Sequence, residues 1–448
     1  MTPLSFSTIQ ETEAYLASIV NYEWILPGDR PERAFKLERA QEAMDLLGIP
    51  HQPLPAIHVG GTKGKGSTVM VMEAILETHC LETGSFMSPH VSTIRERVRL
   101  GGKLIPETQW VEGFNAIVPI LEEMTERGRK LTYFEVTWLL ALERFRKANP
   151  DILLIEVGMG GRLDCTNLIT PRVAVLTPIS HDHTRILGKR ISQIAWDKSH
   201  ILKPGVKAVI AKQNRWAITE ISGRAQHIGI SPLWFGKEYE LVESERGEQE
   251  GIAFDVRVKD RWYRELRLSL LGAHQRHNAA VAIVAVDCFL NNIGQELDIN
   301  LTRKALANLK ISGRLEWGHR NPDVLLDVAH NPASFKALIR VLQCIGKGRR
   351  IHAIVGFSKG KDSRQCLKIL APHVYDIILV PTGTPRSQEP SKLLKIVQGI
   401  GIQSKVAENG VDVLQQLMTE FPKDLILVTG SFPLVGDCRN FLMSPLLL

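Results

Sequence analysis

The chain is predicted to be an α/β protein of two domains, each built around a largely parallel sheet. Three observations predict this. AIHVGGTKGKGST (56–68) reads as a short buried strand, a glycine-rich loop and a helix start. Runs rich in β-branched residues and leucine, DILLIEV (151–157) and VAVLTPI (173–179), have the form of buried parallel strands and alternate with helical segments. The length, 448 residues, exceeds what one ordinary core supports.

Taken in order, residues 6–21 read as a helix with Thr8 as N-cap, and 33–47 as an amphipathic helix ending at Gly48. A strand carrying Ile57 and Val59 follows, then a helix over 67–78. GSFMSPH leads into a polar, hairpin-like RERVRLGGKLIP, and helices are expected at 107–127 and 132–148. Between 206 and 271 short strand-like pieces (KAVIAK, FDVRV, LRLSLLG) alternate with turns and suggest a small mixed β excursion. A helix is expected over 276–290. Beyond it VLLDVAHNP, IHAIVGF, DIILVPT and LILVTGS each precede a helical stretch, giving four further β–α units. The division is expected near 298–310, with an N-terminal domain over 1–300 and a C-terminal Rossmann-like domain over 301–448.

The glycine loop has the chemistry of a phosphate cradle. Gly60, Gly61, Gly64 and Gly66 allow close backbone approach to an anion, and the helix that follows points its positive end at the same place. Lys65 can reach bridging phosphate oxygens and the Ser67 hydroxyl can hold Mg²⁺. Gly66 separates Lys65 from Ser67, so the common G-x-x-x-x-G-K-[ST] pattern gives way to G-T-x-G-K-G-[ST]. A glycine-rich turn without a ligand is the plain alternative. The lysine, hydroxyl and apolar strand all fall where a P-loop needs them.

Composition narrows the function. Fifty-five basic and 48 acidic residues give a net charge of +7, which suits an acidic ligand. The charges are dispersed, so neither nucleic-acid binding nor a membrane surface is read from them; RERVR (95–99) is the densest cluster, either a solvated edge or part of an anionic-substrate mouth. The six cysteines show no paired spacing, which argues against a disulfide framework or structural zinc and fits a cytoplasmic protein. The N-terminus lacks a signal-peptide pattern, and no run of 18 apolar residues predicts a membrane span. Glu156 closes the strand DILLIE, where a P-loop's Mg²⁺ partner sits. His181, Asp182 and His183 follow the next strand, on the same rim.

GTKGKGST, MSPHV, IEVGMGGRLDCTN, HDHTRILG, IAWDKSHILK, LGAHQRHNAAVA, ISGRLEW, DVAHNP, KGKDS and VTGSF occur in the order seen in folylpolyglutamate synthases. The chain thus resembles that family and the related dihydrofolate synthases, ATP-dependent amide-forming ligases of the Mur ligase superfamily, over about 30–437. The resemblance implies that Gly61, Thr62, Gly64, Lys65, Gly66, Ser67 and Thr68 form the ATP loop. It implies one Mg²⁺ on Ser67 and Glu156, and a second on Ser88, Glu156 and His183. Lys198 matches the family's carbamylated lysine. Gln275 and Asn278 fall on the adenine side, Arg314 reaches the phosphates, Asp327 is the ribose-binding acid, and Lys361 and Asp362 form a nucleotide-side pair. Ser88, Pro89 and His90 lie at the substrate, and His330 and Ser431 belong to the glutamate pocket. Lys65, His183, Lys198, Arg314 and His330 are the implied catalytic groups.

The chain departs from the family's pattern at Lys63 (usually Asn), Val328 (usually Gly), Ser199–His200 (usually Ala-Gly) and Pro433 (usually Tyr). The implied reaction adds L-glutamate to tetrahydrofolate, or to dihydropteroate, through an acyl phosphate, with release of ADP and phosphate by a monomeric enzyme. A Mur-type amide ligase for a non-folate acid is the alternative, and a non-catalytic nucleotide-binding regulator a third class.

Overall fold

The computed structural model describes residues 4–21, 37–49, 54–243 and 252–444. The start of the helix expected at 33–47 lies outside these residues; its described part runs Leu37–Leu46 and ends at the left-handed Gly48. The first helix runs Ile9–Ser18, and Thr8 and Glu11 form a reciprocal cap at its start.

The N-terminal sheet has eight strands: β1 (Ala56–Gly60), β2 (Thr83–Phe86), β3 (Val98–Leu100), β4 (Lys103–Leu104), β5 (Ile152–Glu156), β6 (Val173–Leu176), β7 (Lys207–Ile210) and β8 (Leu233–Trp234). Their order is β4-β3-β2-β5-β1-β6-β7-β8. β3 pairs antiparallel with both β2 and β4, which makes that edge antiparallel, and the remaining pairings are parallel. β1 is central and buried throughout. Its register sets Val59 beside Glu156 and Gly60 beside Leu176. The carboxyl ends of β5, β1 and β6 therefore open side by side, where a ligand meets an α/β sheet.

The segment 206–271 differs from expectation. KAVIAK is not part of an excursion, because β7 pairs with β6 in the main sheet. A helix, Arg215–His227, then buries Ala217, Ile221 and Ala225, a narrow apolar stripe in a polar sequence. Among the described residues of this segment, only β9 (Tyr239–Glu243), β10 (Ile252–Val258) and β11 (Arg261–Leu268) leave the main sheet, as a three-stranded antiparallel sheet. Its inward residues Phe254, Val256, Leu266 and Leu268 join the core beneath the helices Lys65–Thr78 and His274–Asn292.

The C-terminal sheet has six strands: β12 (Glu316–His319), β13 (Asp323–Asp327), β14 (Ile351–Val355), β15 (Asp376–Leu379), β16 (Gln403–Val406) and β17 (Leu425–Thr429), in the order β12-β13-β17-β14-β15-β16. β12 is antiparallel and the rest parallel. There are thus five β–α units rather than four. The one not foreseen starts from β16, whose polar sequence QSKV suits an exposed sheet edge. The helix Ile299–Asn308, capped by Asp298, was also unforeseen; Leu306, Leu309 and Ile311 lie in the N-terminal core, whereas Leu315 lies in the C-terminal one. We propose that the domains change over at Ser312–Arg314. Among the described residues no helix is long and apolar enough to cross a membrane.

Candidate functional site

The two domains face each other across a cleft of about 1250 Å³, lined from both sides. The P-loop forms part of its floor. Gly64 caps the helix Lys65–Thr78 at φ +87°, so the helix begins two residues earlier than expected and its first N–H groups point into the cleft. Gly64 is also a close approach, since a Cβ there would overlap the Asn278 side chain. The front of the loop is spent on anchoring. Thr62 and Lys63 donate their N–H groups to the Pro178 carbonyl, and the Thr62 hydroxyl exchanges hydrogen bonds with Ser180. Gly61 packs on Thr177. These anchors leave out the amides from Gly64 to Ser67.

Glu156 and Lys65 meet behind this loop, with Nζ 3.7 Å from Oε1. Ser88 donates its backbone N–H to Glu156 Oε2 at 3.1 Å. Burial raises the Glu156 pKa, and Lys65, the Ser88 N–H and Arg314 oppose that rise. Gly66 packs beside this carboxylate, where a Cβ would sit in ordinary contact 3.4 Å from Oε2. Ser67, Ser88, Glu156 and His183 all line the cleft. One buried carboxylate, two hydroxyls and an imidazole fit a hard divalent cation that takes its remaining ligands from phosphate and water. Among the described residues no three His, Cys, Asp or Glu side chains cluster as a closed protein cage would require. The Thr68 hydroxyl is buried, without a partner, and off the cleft wall.

Beside the metal-type donors lies a group of cations around one acid. Asp182 sits near His183, Lys361 and Lys65, which hold its carboxyl below the usual range despite burial. Lys63 lines the same region, and burial lowers its pKa against the pull of Asp182. His183, left-handed at φ +47°, keeps 38% of its side-chain surface exposed, and enclosure by the cleft lowers its pKa to about 4 against the pull of Asp182. Lys198 is 3% exposed; it lies under the Gly158–Gly161 turn and donates to the Gly160 carbonyl at 3.4 Å rather than lining the cleft. Burial, with Lys65 adding, lowers its pKa to about 7.

The C-terminal wall carries Arg314, Asp327, His330, Lys361 and Ser431. Arg314 lies 5.3 Å over the Phe432 ring. Asp327 accepts from the Leu315 and Ala329 backbone N–H groups, and burial raises its pKa to about 6. His330 donates Nδ1–H to the Val328 carbonyl at 2.9 Å, which leaves Nε2 as an acceptor. Burial above all lowers its pKa to about 4. The Ser431 hydroxyl is buried without a protein partner. Asp362 departs from the expected pair: it is exposed, caps the helix Ser363–Leu370 through the Gln365 N–H, and does not line the cleft. Gln275 and Asn278 are buried on the helix flanking the loop, bonded to each other at 2.9 Å.

Another part of the cleft joins Pro89 and His90, expected at the substrate, to residues not expected there individually. Pro89, His90, Arg97, Tyr133, Phe134, Met159 and Asp164 line it. Arg97 stacks 5.0 Å over Tyr133 and donates to His90 Nδ1 at 3.0 Å. Asp164 accepts from the Met159 and Thr166 N–H groups, and its burial raises its pKa. The lining here combines aromatic faces with a cation and a buried acid. The densest basic cluster, RERVR, was the signal for Arg97.

A P-loop domain and a Rossmann-like domain that share one basic, metal-competent cleft define a nucleotide-dependent ligase of the Mur type. The Mur ligase middle-domain model matches residues 59–286, and the Mur ligase glutamate ligase-domain model matches 313–432. The chain is 31% identical over 411 residues to the dihydrofolate synthase/folylpolyglutamate synthase of Bacillus subtilis, covering 90% of this chain and 94% of that one. It is 31% identical over 401 residues to the Escherichia coli protein of the same description, covering 89% of each. The folylpolyglutamate synthase of Mycobacterium tuberculosis complexed with ADP superposes with a TM-score of 0.87 at 29% identity, over 97% of this chain and 98% of that one. Escherichia coli FolC in complex with DHPP and ADP gives 0.83 at 28%, over 97% and 98%. The chain belongs to the dihydrofolate synthase/folylpolyglutamate synthase family of Mur ligases, which favours a folate acceptor over a non-folate acid.

Proposed function

We propose that this chain joins L-glutamate to a reduced folate, and to dihydropteroate, at the expense of ATP. The observation that carries this reading is the convergence of Lys65, Ser88 and Glu156 from one domain with Arg314 from the other on a single cleft.

ATP lays its phosphates on the amides from Gly64 to Ser67, with Lys65 over the bridging oxygens. Gln275 and Asn278 face the adenine side, Asp327 the ribose, and Lys361 the phosphates. Ser67, Glu156, Ser88 and His183 would hold Mg²⁺, which offsets the repulsion between an anionic acceptor and the triphosphate. The part of the cleft at Phe134 and Asp164 takes the pterin ring and directs the acceptor carboxylate toward the γ-phosphate. Attack there forms an acyl phosphate and ADP. Lys65 and Arg314 stabilise the charge that spreads over the transferred group. His330 and Ser431 place L-glutamate, whose deprotonated amine attacks the acyl carbon; the tetrahedral intermediate then expels phosphate. Walls from both domains keep water from the acyl phosphate.

Lys198 is suited to carbamylation, because burial lowers its pKa to about 7, so that a substantial share is uncharged at neutral pH and can attack CO₂ with loss of a proton. A carbamate there would replace a cation by an anion with two oxygens, suited to ordering a divalent ion. Both walls of the cleft come from one chain, and we propose a monomer. The six cysteines are free, which suits a cytoplasmic location.

Glu156→Gln tests the reading. It keeps the shape and removes the charge, so ligation should be abolished at ordinary Mg²⁺. Near-normal turnover would remove Glu156 from the metal site.

A further inference from the structure

Arg314 projects from a short segment held on every side. Gly313 donates its N–H to Glu316 Oε2 at 2.7 Å, and its carbonyl accepts from the Val328 N–H at 2.9 Å. Leu315 follows in the left-handed region at φ +51°, its N–H on Asp327. Such a conformation in a branched residue persists only where its surroundings fix it. Glu316 is itself fixed by Arg439, whose Nε lies 3.0 Å from both carboxylate oxygens.

Arg439 also crosses to the other domain. Its second arm donates to the Ser92 hydroxyl at 3.3 Å, and Asn440 donates to the Ser92 carbonyl at 3.2 Å. Ser92 belongs to the loop that begins at Ser88, whose N–H holds Glu156. That loop is stiff: the Glu96 carboxylate accepts from the N–H groups of Val91, Ser92 and Thr93. The two surfaces meet without a gap, because a Cβ on Gly436 would overlap the Val91 carbonyl oxygen.

We propose that Arg439 is a positioning residue for the ligase reaction, coupling the seat of Arg314 in one domain to the loop that holds Glu156 in the other. The inference rests on the phosphate-side role proposed for Arg314. The path runs from Glu156 through Ser88–Ser92, Arg439 and Glu316 to Gly313. Docking the loop on the helix Phe432–Leu442 and aiming Arg314 are then one event. Arg439 touches no reacting atom and lies outside the cleft lining.

The test uses the full chain and two readouts. Arg439→Gln should lower kcat about tenfold while KM for ATP stays within about twofold, because the P-loop is untouched. In an Arg314→Lys background the same change should cost less than about twofold, since the group it positions is already compromised. Hydrogen exchange read on peptides covering 88–97 and 311–316 should quicken together in Arg439→Gln, with the helix 65–78 unchanged. Ser92→Ala, which removes a single bond from the other domain, should shift the same quantities in the same direction by about two- to threefold, and serves if Arg439→Gln does not fold. Independent, multiplying effects of the Arg439 and Arg314 substitutions would overturn the proposal, as would quickened exchange in only one of the two segments. Failure of the wild-type chain to ligate folate would instead sink the function proposed above, leaving the exchange result to stand or fall by itself.

Discussion

Replacing Gly64 with alanine should weaken nucleotide binding far more than the loss of one hydrogen would suggest. Gly64 holds φ +87°, where a Cβ costs about 1–2 kcal/mol. The added methyl would also overlap Asn278 Oδ1. Asn278 would have to move and give up its 2.9 Å bond to Gln275, at about 1 kcal/mol. Together these come to about 2–3 kcal/mol, or roughly 30- to 150-fold in affinity. The cost falls on binding because an empty loop can relax away from Asn278, whereas a phosphate requires the original shape. Calorimetric titration with a non-hydrolysable ATP analogue measures it, and a melting curve establishes that the variant is folded. Adding Asn278→Ser should relieve the overlap, so the double variant should lose less than the sum of the single losses. A folded Gly64→Ala chain that binds within threefold of wild type would refute the reasoning.

Other substitutions probe the rest of the cleft and one site far from it. Lys198→Ala should lose most activity and regain part of it with added short carboxylates, and the intact mass of the wild-type chain should show a CO₂ adduct; an unmodified mass with no rescue would count against carbamylation. His330→Ala should raise KM for glutamate more than KM for ATP, and the reverse order would remove it from the glutamate pocket. His352, buried in the C-terminal sheet, sits 3.0 Å from Asp376 and 3.2 Å from Asp424. Burial works against its charge, but the two carboxylates outweigh it and raise its pKa above the ordinary value of 6.5. The stabilisation it supplies is therefore full below about pH 6.5 and declines as pH rises through the folded-state value. His352→Gln should lower Tm at pH 6, with the gap to wild type narrowing toward pH 9; a gap that widens would mean the ring folds neutral.

The parts legible in the sequence are those whose signal is local. β1, β5 and β6 show as apolar runs because they are buried on both faces, and Glu156 is placed by ending such a run. β16 is an exposed edge with no hydrophobic pattern, so QSKV gives nothing to read. The helix Arg215–His227 presents only Ala217, Ile221 and Ala225 to the core, too narrow a stripe to stand out among its polar residues. Within the site, Lys361 and Asp362 are neighbours in sequence with separate tasks: one faces Asp182 across the cleft, the other caps a helix. The resemblance alone could not separate them. Nor could it show the Pro178 carbonyl taking the amides of Thr62 and Lys63, because that bond joins segments more than a hundred residues apart. Val328, a departure from the family's glycine, is fully buried, and its side chain lies where Gly313 leaves room for it. Pro433 lines the cleft, and nothing in the structure explains its replacement of tyrosine.

Release of ADP by the wild-type chain, followed with each substrate omitted in turn, bears most directly on the central claim. Turnover should require ATP, L-glutamate and either tetrahydrofolate or dihydropteroate together, and the product should be the acceptor extended by one glutamate. ADP release that ignores both acceptors, with turnover restored by another acid or another amino acid, would contradict it.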